Sequence, residues 1–420
     1  MKYTQLSAEV NNKVQEHLDV VKEEILKAIP NTISIILYGG FGRGEGSVKV
    51  VGKDVMPAND YDIYVITKKR VDDEILDGIA KTVAKRLGKK GIEFHSFSKE
   101  QTIKDSFYLD LKCLTTDQLR KLFPMIRYYE LRNSTTIIYG EDVRNIIPDY
   151  NVKDIPLAEG IRILLNRMTH LVEYLSLEGK HDEEVLAYFC AKAYIDSCTA
   201  LLILSRKYVP YYRERAEIFS KNYKEDFPEL YKKFPDLDKK ILKYTKWKLN
   251  FNGLPEKDVM KFWYESRQSI FEVTKYYIGK CLNIEINDEE DLSRAIRAIG
   301  GVYYTPYLKI FLKDKFGISY GASLMRPCLN LYFKFLYFLR LKEKKIYSRI
   351  FLNLNAPDLL IFSALPYIIF ALNSNGVDNL KLKKGIDILN KVYPVKGKSW
   401  EEVSQDYADA YVLFFLQKIV

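Results

Sequence analysis

Apolar residues recur at three- and four-residue intervals through Val10, Val14, Leu18, Val21, Ile25 and Ile29. This spacing predicts an amphipathic helix over residues 7–29 with Ser7 as its N-cap. Pro30 and Asn31 end it, and the pattern changes. Residues 34–38 (SIILY) form an apolar run with β-branched Ile35 and Ile36 at its centre, which predicts a buried strand. A glycine-rich loop follows over 39–46, and residues 60–67 (DYDIYVIT) predict a second strand. Residues 71–87 return to helical spacing, with Ile75, Ile79, Val83 and Leu87 on one face. Further strands are predicted over 91–97 and 107–114, then a helix over 116–132 and a short apolar piece, TTIIYG.

This order predicts a mixed-sheet domain over residues 1–150, with Pro148 and Pro156 bracketing a linker. Beyond Leu157 the strand signals nearly vanish. Helical runs are predicted over 157–177, 183–207, 211–222, 234–250, 256–279, 289–298, 323–342, 357–372, 380–392 and 399–419. Residues 151–420 therefore read as a helical substrate-binding region, with candidate breaks at 283–291 and 317–321 that would divide it into two subdomains. The fold class expected is α+β: an N-terminal mixed-sheet domain followed by a large all-helical region.

Composition narrows the class. A chain of 420 residues, 47% hydrophobic and 29% charged, is globular and long enough for two or three domains. The net charge is +10, of which +1 falls in residues 1–150 and +9 in the remainder. A basic helical region suits an anionic partner, and equally suits a soluble lysine-rich surface. The five cysteines (Cys113, Cys190, Cys198, Cys281, Cys328) are scattered and lack CxxC spacing, so neither a disulfide framework nor a zinc site is expected. A reducing cytoplasmic location follows. The N-terminus has no signal-peptide apolar region. The longest apolar run, 359–372, contains Pro366 and is too short to span a bilayer, so no membrane partner is expected. The aromatic stretch LYFKFLYFLRL (331–341) reads as core packing rather than a nucleic-acid stacking surface. His181-Asp182 reads as a loop, and Asp288–Asp291 as a helix N-terminus.

The candidate chemistry lies in residues 34–67. The loop fails the GxxxxGK[ST] phosphate-loop pattern. It fails the dinucleotide pattern too, because Glu45 and Ser47 stand where a third glycine would be required. What remains is a strand, Gly39-Gly40, Gly42-Arg43-Gly44, then Asp60-Tyr61-Asp62. Glycines let backbone N–H groups approach a triphosphate without a Cβ in the way. Asp60 and Asp62 are two apart on a strand, so both carboxylates leave the same face. Such repulsion is tolerable where divalent cations neutralise it, and paired carboxylates with phosphate oxygens suit Mg²⁺. Arg43 would stabilise phosphate charge, or else pair with Glu45.

This stretch resembles the signature of the DNA polymerase β-type nucleotidyltransferase superfamily: an apolar strand, Gly39-Gly40, a gap, then Asp60-Tyr61-Asp62-Ile63. The resemblance covers residues 1–150 and is similar in its 107–140 portion to the small-substrate, antibiotic-modifying branch. It implies a third carboxylate, for which Asp110 in FYLDLKCL is the matching position and Glu93 the rival. It implies two Mg²⁺ ions, with Mn²⁺ as an alternative, held by Asp60, Asp62 and Asp110. Gly39 and Gly40 would cradle the β- and γ-phosphates, Asp110 would accept the proton of an attacking hydroxyl, and Lys192 would reach the triphosphate. Tyr211, Tyr212 and Arg213 are lesser candidates for the cleft. The activity implied is transfer of a nucleoside monophosphate from an NTP, ATP being the first expectation, to an acceptor hydroxyl. A small molecule is favoured as acceptor over RNA or protein, and a non-catalytic nucleotide-binding relative is the rival. Two departures stand out: Gly40 replaces the commoner serine, and the gap before Asp60 is long, so 48–59 reads as an insertion with a hairpin tip at Gly52-Lys53.

Overall fold

The computed structural model describes residues 2–52, 54–58, 60–91, 106–177, 179, 181–318, 320–340 and 355–416. The fold is α+β. Its N-terminal elements are α1 (Ala8–Ala28), β1 (Ser34–Leu37), the one-turn α2 (Gly39–Gly42), β2 (Val48–Val51), β3 (Asp54–Pro57), β4 (Asp60–Thr67), α3 (Asp73–Arg86), β5 (Lys90–Gly91), β6 (Ser106–Thr115), α4 (Thr116–Leu119), α5 (Ile126–Asn133) and β7 (Thr136–Gly140). Helices follow: α6 (Leu157–Glu173), α7 (Glu183–Leu204), α8 (Tyr212–Asp226), α9 (Pro228–Lys233), α10 (Leu237–Asn250), α11 (Val259–Leu282), α12 (Glu289–Ala298), α13 (Gly300–Phe316), α14 (Arg326–Arg340), α15 (Pro357–Ala371), α16 (Asn379–Leu389) and α17 (Trp400–Tyr411). Most of the strand expected over 91–97, with Glu93, lies outside the described residues.

The chain falls into two compact units. The first comprises Met1–Ile155, Arg206–Pro228 and Asp236–Pro255; the second comprises Pro156–Ser205, Glu229–Pro235 and Glu256–Val420. This division differs from the single cut expected near residue 150, because α8 and α10 belong to the first unit, bonded to Glu45, Ser47 and Glu130. No local pattern in the sequence announces that return.

In the first unit the sheet order is β5-β6-β4-β1-β7. β1 pairs antiparallel with β4 and β7, whereas β4 and β6 run parallel. Strand alternation sorts the side chains to two faces. On one, Ile35, Leu37, Ile63, Val65 and Leu109 pack with Val14, Leu18, Val21 and Ile25 of α1 and Leu76, Ile79 and Val83 of α3. On the other, Ile36, Tyr38, Tyr64 and Ile66 pack with Leu119, Leu122 and Leu131. The second face is the one from which Asp60 and Asp62 also project, by their even spacing from Tyr64. The insertion is a hairpin, β2 pairing antiparallel with β3. The helix expected over 116–132 is two helices, α4 and α5. Pro124 lies in the break, where its ring disfavours a helical Phe123 and supplies no N–H.

The second unit is helical except for one short hairpin, Leu372–Asn373 pairing antiparallel with Gly376–Val377, so the region expected to be all-helical is not entirely so. α7 is apolar all round and almost entirely buried, as a core helix must be. It is long and apolar enough to cross a membrane, yet 94% of its apolar window is buried inside the fold. The indole of Trp263 on α11 donates to Leu171 O at 2.8 Å, and that of Trp400 to Ile368 O at 2.8 Å. Asp288 caps α12 by accepting from Asp291 N at 2.8 Å. Two readings are corrected here. α13 occupies residues the sequence left unassigned, because Gly300, Gly301 and Pro306 obscure its period. Leu331, Tyr332 and Phe335 of α14 are exposed rather than core.

Candidate active site

The parallel register of β4 and β6 sets Asp62 directly beside Asp110 and Tyr64 beside Lys112. Asp60 lies one pleat further along β4 on the same face. Asp60, Asp62 and Asp110 can each offer a carboxylate oxygen, and these three oxygens lie within 4.8 Å of one another. Asp110 is buried, while Asp60 and Asp62 are half-buried. Surrounding protein strips enough water from Asp62 that its carboxyl is held well above the usual carboxylate range. The charges of Asp60 and Asp110 raise it further, and Lys112 and Arg127 oppose them. Three hard oxygen donors converging from two strands match what a divalent cation such as Mg²⁺ or Mn²⁺ takes.

The glycine loop backs onto this cluster. Gly39 has φ +66°, and a Cβ there would overlap the carboxylate of Asp62, so only glycine fits both the backbone and the space. The loop is a single helical turn closed by Arg43 N donating to Gly40 O at 3.2 Å and Glu45 N donating to Gly40 O at 2.8 Å. Tyr38 N donates to Asp62 O at 3.0 Å, which pins the loop's entry to β4.

Two side chains of the loop turn away into the first unit. Arg43 is buried, with Nη1 2.6 Å from Glu130 Oε2 on α5 and its guanidinium carbon 4.9 Å from the centre of the Tyr212 ring. Glu130 also accepts from Tyr208 OH and from Arg215 Nη2 at 3.2 Å. The carboxylate of Glu45 accepts from Tyr212 N at 2.7 Å and Arg213 N at 3.1 Å, so it caps the start of α8 and complements the helix dipole. Past the loop, the buried Lys248 of α10 donates to Ser47 Oγ at 3.1 Å, and Ser47 Oγ donates to Lys248 O at 2.8 Å.

The structure thus brings Asp60, Asp62, Asp110, Gly39 and Gly40 together. It places Arg43 in a buried cluster with Glu130, Tyr208, Arg215 and Tyr212. Lys192 belongs to the second unit, where its ammonium lies 3.5 Å from Asp196 Oδ1. Sequence reasoning missed Lys112, although its position two residues after Asp110 puts it on the same strand face. Glu130, Arg215 and Lys248 carried no local signal.

No protein-family model and no curated protein sequence matches this chain. Among solved structures, that of spectinomycin adenyltransferase AAD(9) from Enterococcus faecialis with ATP and spectinomycin covers 61% of this chain and 99% of its own, at 14% identity and a TM-score of 0.35. At that distance the likeness carries no argument about fold or chemistry.

Proposed function

We propose that the chain is a nucleotidyltransferase of the DNA polymerase β type, transferring a nucleoside monophosphate from ATP to the hydroxyl of a small molecule. The observation that carries this reading is the convergence of Asp60, Asp62 and Asp110 beside a glycine loop that only Gly39 can form. Asp60 and Asp62 would hold the nucleotide's Mg²⁺, and Asp110 would complete a second site with them. Bound divalent ions would neutralise phosphate charge and lower the pKa of the attacking hydroxyl.

The chain's own groups do the rest. Backbone N–H groups at Gly39 and Gly40 orient the β- and γ-phosphates so that the α-phosphorus faces the acceptor. The acceptor oxygen bonds to that phosphorus, its proton passes to the Asp110 carboxylate, and the bond to pyrophosphate breaks. Arg43 serves through the loop, holding it against Glu130. A small acceptor is favoured over RNA by the resemblance of residues 107–140 to the small-substrate branch.

The test is pyrophosphate release from each labelled NTP with Mg²⁺ and panels of aminoglycoside-like, sugar and RNA acceptors. Release is expected with ATP and a small hydroxylated acceptor, and Asp62→Asn should cut it by about a hundredfold to a thousandfold, the scale on which losing a charge-stabilising group acts. Binding of ATP without turnover on any acceptor, unchanged in Asp62→Asn, would sink the enzyme reading in favour of a nucleotide-binding relative. Steep loss of acceptor affinity with rising salt would move the acceptor to RNA.

A further inference from the structure

Three carboxylates this close cannot stand ionised together without a compensating positive charge. Within the described residues, Lys112 supplies one. The parallel register that sets Asp62 beside Asp110 continues one pleat on to Tyr64 beside Lys112, so the lysine side chain leaves the sheet on the carboxylate face. Its ammonium contacts Asp110 Oδ2 and donates to Tyr38 OH at 3.3 Å. It also lies 6.0 Å from the centre of the Tyr38 ring.

We propose that Lys112 is the resident counter-ion of the aspartate cluster, competing with a divalent cation for Asp110 and stabilising the cluster until one binds. The inference rests on the reading of Asp60, Asp62 and Asp110 as a metal site. A cation bound to Asp110 Oδ2 and the ammonium touching the same oxygen would repel at contact distance, so loading is an exchange: divalent ion in, ammonium out. The side chains have the accessibility this needs. Asp110 is 7% exposed and stays in place, whereas Lys112 is 28% exposed and can swing toward solvent or the face of Tyr38. Strand register also explains why a lysine does this and not a more distant group. A residue two places on from Asp110 has its Cβ on the same face, and four methylenes allow its ammonium to fold back onto that carboxylate. Lys112 is therefore a positioning residue that sets metal affinity rather than a metal ligand.

The test is Mn²⁺ titration followed by the free-ion electron paramagnetic resonance signal, together with melting curves in chelator and in Mn²⁺. Wild type, Lys112→Met, Lys112→Arg and Asp62→Asn are compared. Lys112→Met should bind Mn²⁺ about threefold tighter or more, and Lys112→Arg should stay close to wild type because it keeps the positive charge. In chelator Lys112→Met should melt below wild type, and Mn²⁺ should raise its midpoint more than it raises that of wild type. A lysine that merely fills a surface would lower the melting point without tightening Mn²⁺ binding. Mn²⁺ binding by wild type that is unchanged or weaker in Lys112→Met would overturn the inference alone. No Mn²⁺ binding by wild type, matched by Asp62→Asn, would overturn the metal reading and this inference with it. Should Lys112→Met not fold in chelator, its recovery on folding in Mn²⁺ supports the proposal, and failure to recover refutes it.

Discussion

At the scale of single residues, environment decides what a side chain does. His170 is enclosed in the second unit and stacks on Phe189, with ring centroids 5.0 Å apart and planes 6° from parallel. Burial, reinforced by the positive charge of Arg167, pulls its pKa from 6.5 down to about 3. The unfolded chain therefore takes up a proton below about pH 6.5 that the folded protein refuses. The contribution of His170 to stability is complete above that pH and is lost as pH falls toward 3, at about 1.4 kcal/mol per unit. His170→Phe keeps the stack and removes the titration, so denaturant melts from pH 7 to 4 should show a shallower acid loss in the variant than in wild type. Asp62 is displaced in the other direction, upward, by burial and by its neighbouring carboxylates. The same DYDIYVIT sequence on a solvated strand end would show neither its placement nor its shift.

At the scale of elements, the glycine loop is shaped by side chains from outside it. Glu130 and Glu45 hold it by different means, and the difference is measurable. Removing the charge of Glu130 leaves Arg43 and Arg215, both buried, without the carboxylate they share. Breaking a buried pair in this way costs about 3–5 kcal/mol. Glu45 mainly caps α8, a role worth about 1–2 kcal/mol. In urea melts Glu130→Gln should therefore fall well below Glu45→Gln, and both should bind Mg·ATP more weakly than wild type because the loop amides lose their placement. Equal and small losses would show that the clamp is not what fixes the loop. Several elements were legible in the sequence. α1, β1, β4, β6 and the hairpin of 48–59 follow from period, β-branching and a turn glycine, all of which are local. The break between α4 and α5 was written in Pro124 and overlooked because apolar spacing continued through it. The exposed side of α14 was not legible, since an aromatic run reads the same in a core and on a surface.

At the scale of the whole molecule, chain order and structural unit part company. The first unit needs Arg206–Pro228 and Asp236–Pro255, which follow a 50-residue excursion, Pro156–Ser205, into the second. Residues 1–155 alone lack the α8 N-terminus that Glu45 caps, the Tyr208 and Arg215 partners of Glu130, and the Lys248 partner of Ser47. That fragment should give no cooperative thermal transition by circular dichroism, whereas residues 1–255 should recover one. A sharp transition from 1–155 would show that the sheet and its two flanking layers suffice.

The sequence by itself determined the α+β class, the two-residue spacing that puts Asp60 and Asp62 on one face, and the glycine at position 39. Those properties depend on covalent geometry and period, which act over a few residues. Only the tertiary structure decided that Asp110 stands beside Asp62 and that Arg43 turns inward to Glu130. Each of these pairs a strand or loop with a group fixed by register or by packing across tens of residues, and no local pattern encodes that distance. Aspartates 48 residues apart become neighbours because two parallel strands share a register, and the glycine loop keeps its shape because α5 and α8 return to hold it.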